Sequence, residues 1–239
     1  MGSFFAGVKA GTLGGMVYVA GLVGFNVALL FMFKSDALAA ISASFGGSCA
    51  VIPGSDQITV EQCFDALVSI YPEYLGFICF FVVLPIAGAF GWANDALPGR
   101  SAVAKGEVAA VASGVSLLGL GLTGPQFTQV VAVLLGFFLV VWTLAYGYVL
   151  GRLYARYTRR VKIDSSGIDG LRVTVDGKDL TGRERTFAAK SVHRLRAEVS
   201  GGRSFKGWSV SGGVTLDDAR SFETEMEVNG DGLVRGEAG

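Results

Sequence analysis

Two cysteines are the first residues in the sequence whose type and spacing could do chemistry. Cys49 and Cys63 flank the turn-forming residues 53–56. In an oxidising compartment they could form a disulfide, worth about 3 kcal/mol for so short a loop. A metal or redox pair is the alternative, but the close spacing and the partner histidine of such sites are missing. The sequence therefore favours a structural disulfide between Cys49 and Cys63.

The one histidine, His193, is the second chemical candidate. It lies in the alternating stretch 192–199, which predicts a strand with His193 facing solvent. A single histidine without nearby cysteines or clustered carboxylates cannot make a usual zinc site. The glycine-rich pieces 200–202 and 211–213 lack the lysine and the spacing of a phosphate-binding loop. We therefore predict no catalytic residue, no cofactor and no metal, and expect that the chain is not an enzyme.

Three glycines near the start of the chain have a spacing typical of helix contacts. Gly7, Gly11 and Gly15 recur every four residues, which places them on one helix face and lets a neighbouring backbone approach closely. Because Ala110 and Gly114 repeat this spacing, packing within one chain is favoured over self-association. The sequence does not predict an oligomeric state.

The composition divides the chain into an apolar part and a charged part. Hydrophobic residues make up 51% and charged residues 17%, and the mean hydropathy is +0.51. Asp, Glu, Lys and Arg are missing from residues 10–33, 74–94 and 108–151, and become frequent after residue 152. The formal net charge is zero, so no broad basic surface for nucleic acid is expected.

The apolar segments predict membrane-spanning helices. At 1.5 Å per residue, the first segment would be about 36 Å long, enough to cross a hydrocarbon core of about 30 Å with some tilt. A secretory signal peptide is the alternative for this segment, but its apolar region would be about twice the usual length. The predicted spans are residues 10–33, 74–93, 108–122 and 127–150.

Basic residues near the segment ends predict the orientation. Arg100 and Lys105 lie between the second and third segments, whereas residues 35–73 contain acids and neither Lys nor Arg. The basic run after the fourth segment consists of Arg152, Arg156, Arg159, Arg160 and Lys162. Because basic residues near helix ends tend to stay on the cytoplasmic side, we expect a multi-pass protein of the cell membrane with both termini in the cytoplasm.

The end of the chain has the pattern of β-structure. Alternation predicts half-buried strands at residues 171–175, 192–199 and 224–228. The dipeptides at 176–177 (Asp-Gly) and 229–230 (Asn-Gly) predict turns. A small β-sandwich is the expected fold of this part.

Together these patterns predict the fold class and the domains. The expected fold is membrane all-α, with a four-helix transmembrane bundle in residues 1–160. A small C-terminal all-β domain, soluble and β-rich, is expected in residues 161–239.

Two stretches also resemble known families. The tail resembles the internalin B-repeat-like domains of surface proteins, through the order Phe205, Gly207, Trp208, Gly212-Gly213-Val214, Thr224, Val228 and residues 229–232. This resemblance implies that Phe205 and Trp208 are core residues of a small β fold. Such repeats usually lie outside the cell, whereas the arginines predict an inner location. We follow the arginines, because a fold analogy does not fix a compartment.

The second resemblance concerns the apolar part. Residues 97–99 (Leu-Pro-Gly) and 104–106 (Ala-Lys-Gly), between two apolar segments, resemble uncharacterised archaeal multi-span membrane proteins. This resemblance implies an architecture and supplies no activity.

The function expected from these patterns is anchoring and interaction. Transport chemistry usually places an ionisable residue within a span, and none lies inside the predicted spans. We expect a non-enzymatic integral membrane protein whose helical bundle anchors a small β interaction domain. A subunit of a small-solute channel or transporter is the alternative. The expected partners are the lipid bilayer and a protein bound through the C-terminal domain, and nucleic acid is not expected.

Overall fold

The computed structural model describes residues 3–45, 59–121, 129–165 and 170–239. The described helices are α1 Phe4–Met32, α2 Lys34–Phe45, α3 Val60–Ala93, α4 Ala102–Gly121 and α5 Gln129–Tyr157. Polar side chains cap the N-termini of two of these helices. The Ser3 hydroxyl accepts a hydrogen bond from Ala6 N (3.2 Å) at α1. At α3, Thr59 and Gln62 bond reciprocally to each other's backbone N–H, which forms a capping box.

The predicted four-helix transmembrane bundle is wrong. In the described residues only two helices are long and apolar enough to cross a membrane, Phe4–Met32 and Gly136–Tyr157, with mean hydropathies of 2.0 and 1.4. A third apolar helical stretch, Phe80–Ala93, is shorter. The multi-span membrane architecture is therefore not supported.

The composition of α3 and α4 explains why the described chain falls short of four spans. The first half of α3 contains acids, among them Asp65 and Glu73, and a proline at position 72. In α4, Lys105 and Glu107 lie within the helix, and Ala, Ser and Gly dilute its leucines. These charges lie outside the predicted spans, and the apolar helical stretches that the structure describes are too short: Phe80–Ala93 and residues 108–121 each contain 14 residues, about 21 Å, against a hydrocarbon core of about 30 Å.

The chain divides into two compact units. The first, which we call the helical unit, consists of Gly11–Ala87 and Val103–Gly151. The second, the sheet unit, consists of Met1–Ala10, Gly88–Ala102 and Arg152–Gly239. The sheet unit therefore includes short ends of α1, α3 and α5 as well as the described strands.

One mixed sheet forms most of the sheet unit. Its described strands are β1 Thr158–Asp164, β2 Leu171–Val175, β3 Lys178–Asp179, β4 Glu184–Ala188, β5 Ser191–Val199, β6 Phe205–Leu216 and β7 Glu223–Ala238. The strand order is β3-β2-β5-β7-β1-β4, and β6 pairs with β7. Strand β1 runs parallel to β7, and the other pairs are antiparallel. The sheet curls into a half-barrel, so the predicted β-sandwich is wrong.

Strand β7 organises this sheet because it pairs with three other strands. Its first half pairs with β5, residues Gly232–Arg235 pair with β1, and β6 pairs with both halves. Met226, Val228 and Val234 of β7 are fully buried in the core. Each such side chain contributes about 1.5 to 3 kcal/mol through burial of apolar surface. The curl therefore encloses one core between the two halves of the sheet.

The Asp-Gly turn that the sequence predicts is confirmed. Val175 pairs with Lys178, which leaves Asp176 and Gly177 as a two-residue hairpin loop between β2 and β3. Both loop residues have positive φ, 50° and 75°, as a type I′ turn requires.

The predicted Asn-Gly turn is wrong, because Asn229 and Gly230 lie inside β7. The β6–β7 ladder shifts register near this point, between Gly212 and Val214. There the two backbones approach so closely that a Cβ added to Gly213 would collide with Gly230 Cα and N. Glycine is therefore needed at position 213 for close backbone approach, not for a turn.

We expect Gly213→Ala to lower the free energy of unfolding by about 1 to 3 kcal/mol, the usual cost of forcing an extra carbon into a filled space. Urea unfolding of the purified chain in detergent, followed by tryptophan fluorescence, measures this change. Ser209→Ala on the exposed face of β6 is the matched control, with an expected change below about 0.5 kcal/mol. Equal stability of G213A and the wild type would contradict the close approach.

Candidate functional site

The surfaces of α1 and α5 are the most extensive candidate site, because large apolar side chains on them are exposed. Only 22% of the apolar window of α1 and 28% of that of α5 is buried. Among the α5 side chains that the structure describes, Val133 and Phe137 are the most exposed apolar ones, each 70% exposed. A contiguous apolar surface of this kind marks contact with a partner or with lipid.

Aromatic contacts hold α1 and α5 together in the helical unit. The rings of Phe25 and Phe138 stack with centroids 3.6 Å apart. Beside them, Trp142 Nε1 donates a hydrogen bond to the Tyr18 carbonyl (2.8 Å). The indole N–H is thereby satisfied inside an apolar surface, where an unpaired donor would be costly.

Small residues bring α4 and α5 into close contact in the same unit. A Cβ added to Gly147 would lie 2.7 Å from Glu107 Cα and 2.9 Å from Ala110 Cβ. Close backbone approach through small residues is the usual way in which helices associate in lipid. The packing of the helical unit therefore suits a lipid environment as well as an aqueous one.

The sheet unit contains a buried tyrosine that joins three helix ends. Tyr154 of α5 is fully buried, and its hydroxyl accepts a hydrogen bond from Ser3 N (3.1 Å) and donates one to Gly91 O (3.2 Å). Its ring meets the edge of Phe90 at a centroid distance of 5.1 Å. One side chain of α5 thus satisfies backbone groups at the start of α1 and near the end of α3.

A second polar cluster of the sheet unit contains Ser191, His193 and Asp176. His193 Nε2 lies 2.7 Å from Ser191 Oγ, and His193 Nδ1 lies 2.7 Å from Asp176 Oδ2. The His193 side chain is only 19% exposed, so the prediction that it faces solvent is wrong. It lies on the inward side of β5, and its ring packs 4.6 Å from that of Phe187.

The hydrogen bonds of this cluster link two turns of the sheet. Because the Asp176 carboxylate can only accept, His193 Nδ1 carries the shared hydrogen, and in that tautomer Nε2 is an acceptor for the Ser191 hydroxyl. Ala188 O, at the end of β4, lies 2.6 Å from the same hydroxyl and competes for its one hydrogen. Asp176 also accepts a hydrogen bond from Arg194 N (3.0 Å). The cluster therefore connects the β4–β5 turn to the β2–β3 hairpin, which is a stabilising role.

The outer face of β2, β5 and β7 forms a groove of about 320 Å³. Its lining residues are Arg172, Thr174, Gly177, Arg194, Arg196, Glu198 and Glu223. Arg194 pairs with Glu223, and Arg196 lies 3.7 Å from Glu198. The groove therefore presents charges of both signs and suits a polar partner better than a bare anion.

Asp179 neutralises the third arginine of the groove. Its pKa is held below the usual value by hydrogen bonds from the Thr181 backbone N–H and hydroxyl, and further by Arg172. Arg172 Nε donates to Asp179 Oδ2 at 2.9 Å. Asp179 is therefore charged at neutral pH and pairs with Arg172 there.

The glycines predicted to mediate helix packing lie against α3. An added Cβ at Gly11 would collide with Ala87, and at Gly15 it would lie 2.9 Å from a valine Cγ1 of α3. Gly7 belongs to the sheet unit, where an added Cβ on Gly91 would lie 2.7 Å from the Gly7 Cα. Each contact brings an α1 glycine close to α3 within a single chain.

The predicted disulfide is not supported. Cys63 is fully buried near the start of α3, but Cys49 lies outside the described residues. The pair Cys49–Cys63 therefore does not lie within the described residues. Within those residues, no group of three or more His, Cys, Asp and Glu residues could hold a metal ion.

Comparisons with known proteins assign no family to the chain. No protein-family model, no curated protein and no solved structure matches it significantly. The resemblances to internalin B-repeat-like domains and to archaeal membrane proteins stay predictions.

We expect Tyr154→Phe to lower the free energy of unfolding by about 1 to 3 kcal/mol, because Ser3 N and Gly91 O would both lose a buried partner. Thermal unfolding in detergent checks this. Tyr148→Phe removes the same atom from a tyrosine that is 51% exposed and should be nearly neutral. If both variants unfold alike, the Tyr154 hydroxyl does not hold the helix ends.

We expect His193→Ala to cost about 1 to 3 kcal/mol, since Ser191 and Asp176 would each lose a hydrogen-bond partner. Lys178→Ala, in the exposed strand β3, is the control and should change stability by less than about 0.5 kcal/mol. An organophosphorus probe for activated serines should leave Ser191 unlabelled. Labelling of Ser191 that is lost in H193A would contradict the stabilising role and indicate a nucleophile.

Proposed function

We propose that this chain is a non-enzymatic membrane-associated protein in which α1 and α5 lie in lipid and the sheet unit serves as an interaction domain. The observation that carries the proposal is the exposure of two long apolar helices. At 1.5 Å per residue, the uncharged parts of these helices, residues 10–32 of α1 and 129–151 of α5, are each about 35 Å long, enough to cross a hydrocarbon core of about 30 Å.

The transfer free energy of the exposed apolar side chains favours a lipid environment over water. Each large apolar side chain left in water forgoes about 1.5 to 3 kcal/mol of transfer free energy. Five such side chains on α5 alone, Phe137, Val140, Val141, Leu144 and Tyr148, are between 42% and 70% exposed. Acyl chains cover such surfaces without a specific partner, so a bilayer is the simplest occupant.

The sheet unit supports the interaction part of the proposal. Its outer groove carries paired charges of both signs, which favour recognition of a polar protein surface. We place this unit on the cytoplasmic side, because a basic run from Arg152 to Lys162 directly follows the apolar part of α5. Protease digestion of right-side-out vesicles tests the placement, and the strands should be protected.

Membrane association is tested by alkaline extraction of cell membranes. We expect the wild-type chain to stay in the membrane pellet, and Val17→Asp in α1 combined with Phe137→Asp and Val141→Asp in α5 to shift it to the supernatant. Each aspartate costs about 2.5 to 3.5 kcal/mol at the centre of a membrane helix.

The control for this experiment changes a comparably exposed valine outside the apolar helices. Val192→Asp alters a side chain of β5 that is 57% exposed and should leave the chain in the pellet. Circular dichroism in detergent verifies that both variants keep their helices. Extraction of the wild-type chain at high pH would contradict the proposal.

A further inference from the structure

The helix ends in the sheet unit carry cations that the protein itself does not neutralise. Arg152 and Arg156 are exposed and lie four residues apart on α5, so they share one helix face. Neither side chain makes a hydrogen bond or ion pair within residues 3–45, 59–121, 129–165 and 170–239. An arginine pair on one face presents several N–H donors to a planar or tetrahedral oxyanion.

The helix C-terminus does not account for these two arginines. Cations often lie at helix ends to satisfy the last carbonyl groups. In α5 this role belongs to Arg159, whose Nη1 donates to the carbonyls of Arg156 (3.1 Å) and Thr158 (2.7 Å). The Thr158 hydroxyl also donates to Tyr154 O (2.8 Å). With these carbonyls satisfied, Arg152 and Arg156 are available to an external ligand.

The other two helix ends of the unit add basic and aromatic side chains. Lys9 Nζ lies over the Tyr157 ring, 4.6 Å from its centroid, which places the α1 ammonium group beside the last turn of α5. Arg100, after α3, is exposed. Trp92 at the end of α3 is 51% exposed, and exposed tryptophans are enriched where helices meet the lipid headgroups.

The acids near these helix ends have other partners. Asp95 accepts a hydrogen bond from the Thr186 hydroxyl (2.9 Å). Asp231 accepts one from Arg160 N (2.8 Å), and Glu184 lies 4.0 Å from Arg160 Nη1. Hydrogen bonds from neutral groups leave Asp95 and Asp231 charged, so the positive excess depends on number. These three acids are outnumbered by six basic residues: Lys9, Arg100, Arg152, Arg156, Arg159 and Arg160.

We propose that Arg152 and Arg156, with Lys9 and Arg100 on the same three helix ends, bind the phosphate groups of anionic phospholipids. This inference rests on the membrane association proposed above and names the lipid class that the basic surface selects. The anionic lipids of the cytoplasmic leaflet attract basic segments next to membrane helices by about 1 kcal/mol per Lys or Arg.

The test uses the full chain purified in detergent, with phosphatidylglycerol, phosphatidylcholine and inorganic phosphate as separate probes. The thermal unfolding midpoint at rising lipid concentration gives an apparent affinity, because a ligand that binds only the folded state stabilises it. We expect phosphatidylglycerol to raise the midpoint well above the value with phosphatidylcholine, and inorganic phosphate to have little effect. The gain should shrink as salt rises.

The double variant Arg152→Gln with Arg156→Gln should weaken the apparent affinity for phosphatidylglycerol about thirtyfold. Each arginine contributes about 1 kcal/mol of attraction, and about 1.4 kcal/mol corresponds to a tenfold change in affinity. The matched control is Lys178→Gln with Arg220→Gln. This control removes the same amount of charge from two exposed residues. One of them, Lys178, lies on β3, which is at the opposite end of the strand order from β1 and β4. This control should keep the wild-type affinity.

Each outcome decides between the proposals. Three results would overturn the lipid site while leaving membrane association intact. They are equal stabilisation by phosphatidylglycerol and phosphatidylcholine, equal stabilisation by inorganic phosphate and phosphatidylglycerol, and equal stabilisation of R152Q/R156Q and the wild type by phosphatidylglycerol. If R152Q/R156Q is less stable without lipid, R152K/R156K keeps both charges and should retain selectivity for phosphatidylglycerol. Loss of that selectivity in a stable R152K/R156K variant overturns binding by charge. Extraction of the wild-type chain from membranes at high pH would instead remove the basis of both proposals.

Discussion

The sheet unit depends on the satisfaction of backbone groups where three helices end. Helix termini leave N–H and C=O groups without partners, and burying them unpaired is costly. The Tyr154 hydroxyl forms a hydrogen bond with Ser3 N and another with Gly91 O, so it satisfies both groups. Because Tyr154 lies on α5, only four residues before β1 begins, the same side chain fixes the point from which the sheet starts.

From that point, the curl of the sheet follows from one long strand. β1 pairs with the second half of β7, whereas β5 pairs with its first half. A strand of 16 residues twists along its length, so partners bound to its two halves diverge in direction. The core formed by residues such as Val161, Leu195 and Met226 fills the space between them.

Local patterns in the sequence predicted the elements better than their assembly. The alternation of Leu171–Val175 and the Asp176-Gly177 turn are decided by neighbouring residues, and both agree with the structure. The sequence Asn229-Gly230 has the same local signal but lies within β7, because pairing with β6 overrides turn preference there. Tertiary pairing of this kind has no signature in a short window.

The candidate sites show the same limit. Length and apolarity identified the apolar helices α1 and α5, but they also predicted spans in α3 and α4, where the uncharged helical stretches are shorter. The environment of His193 could not be predicted, since its contact with Asp176 depends on the β2–β5 register. Within the sequence, the one available signal was that Ser191 and His193 are two residues apart and so share a strand face.

The close approach of β6 and β7 has a consequence for how the sequence can change over time. At Gly213 the neighbouring atoms are the backbone of Gly230, and at Gly230 they are the backbone of Gly213. A larger residue at either position therefore meets main chain, which no second substitution can make smaller. A second substitution elsewhere in the chain should therefore rarely restore the stability of a variant at these positions. Where a crowded site is bounded by side chains instead, a smaller residue at the neighbouring position can restore it.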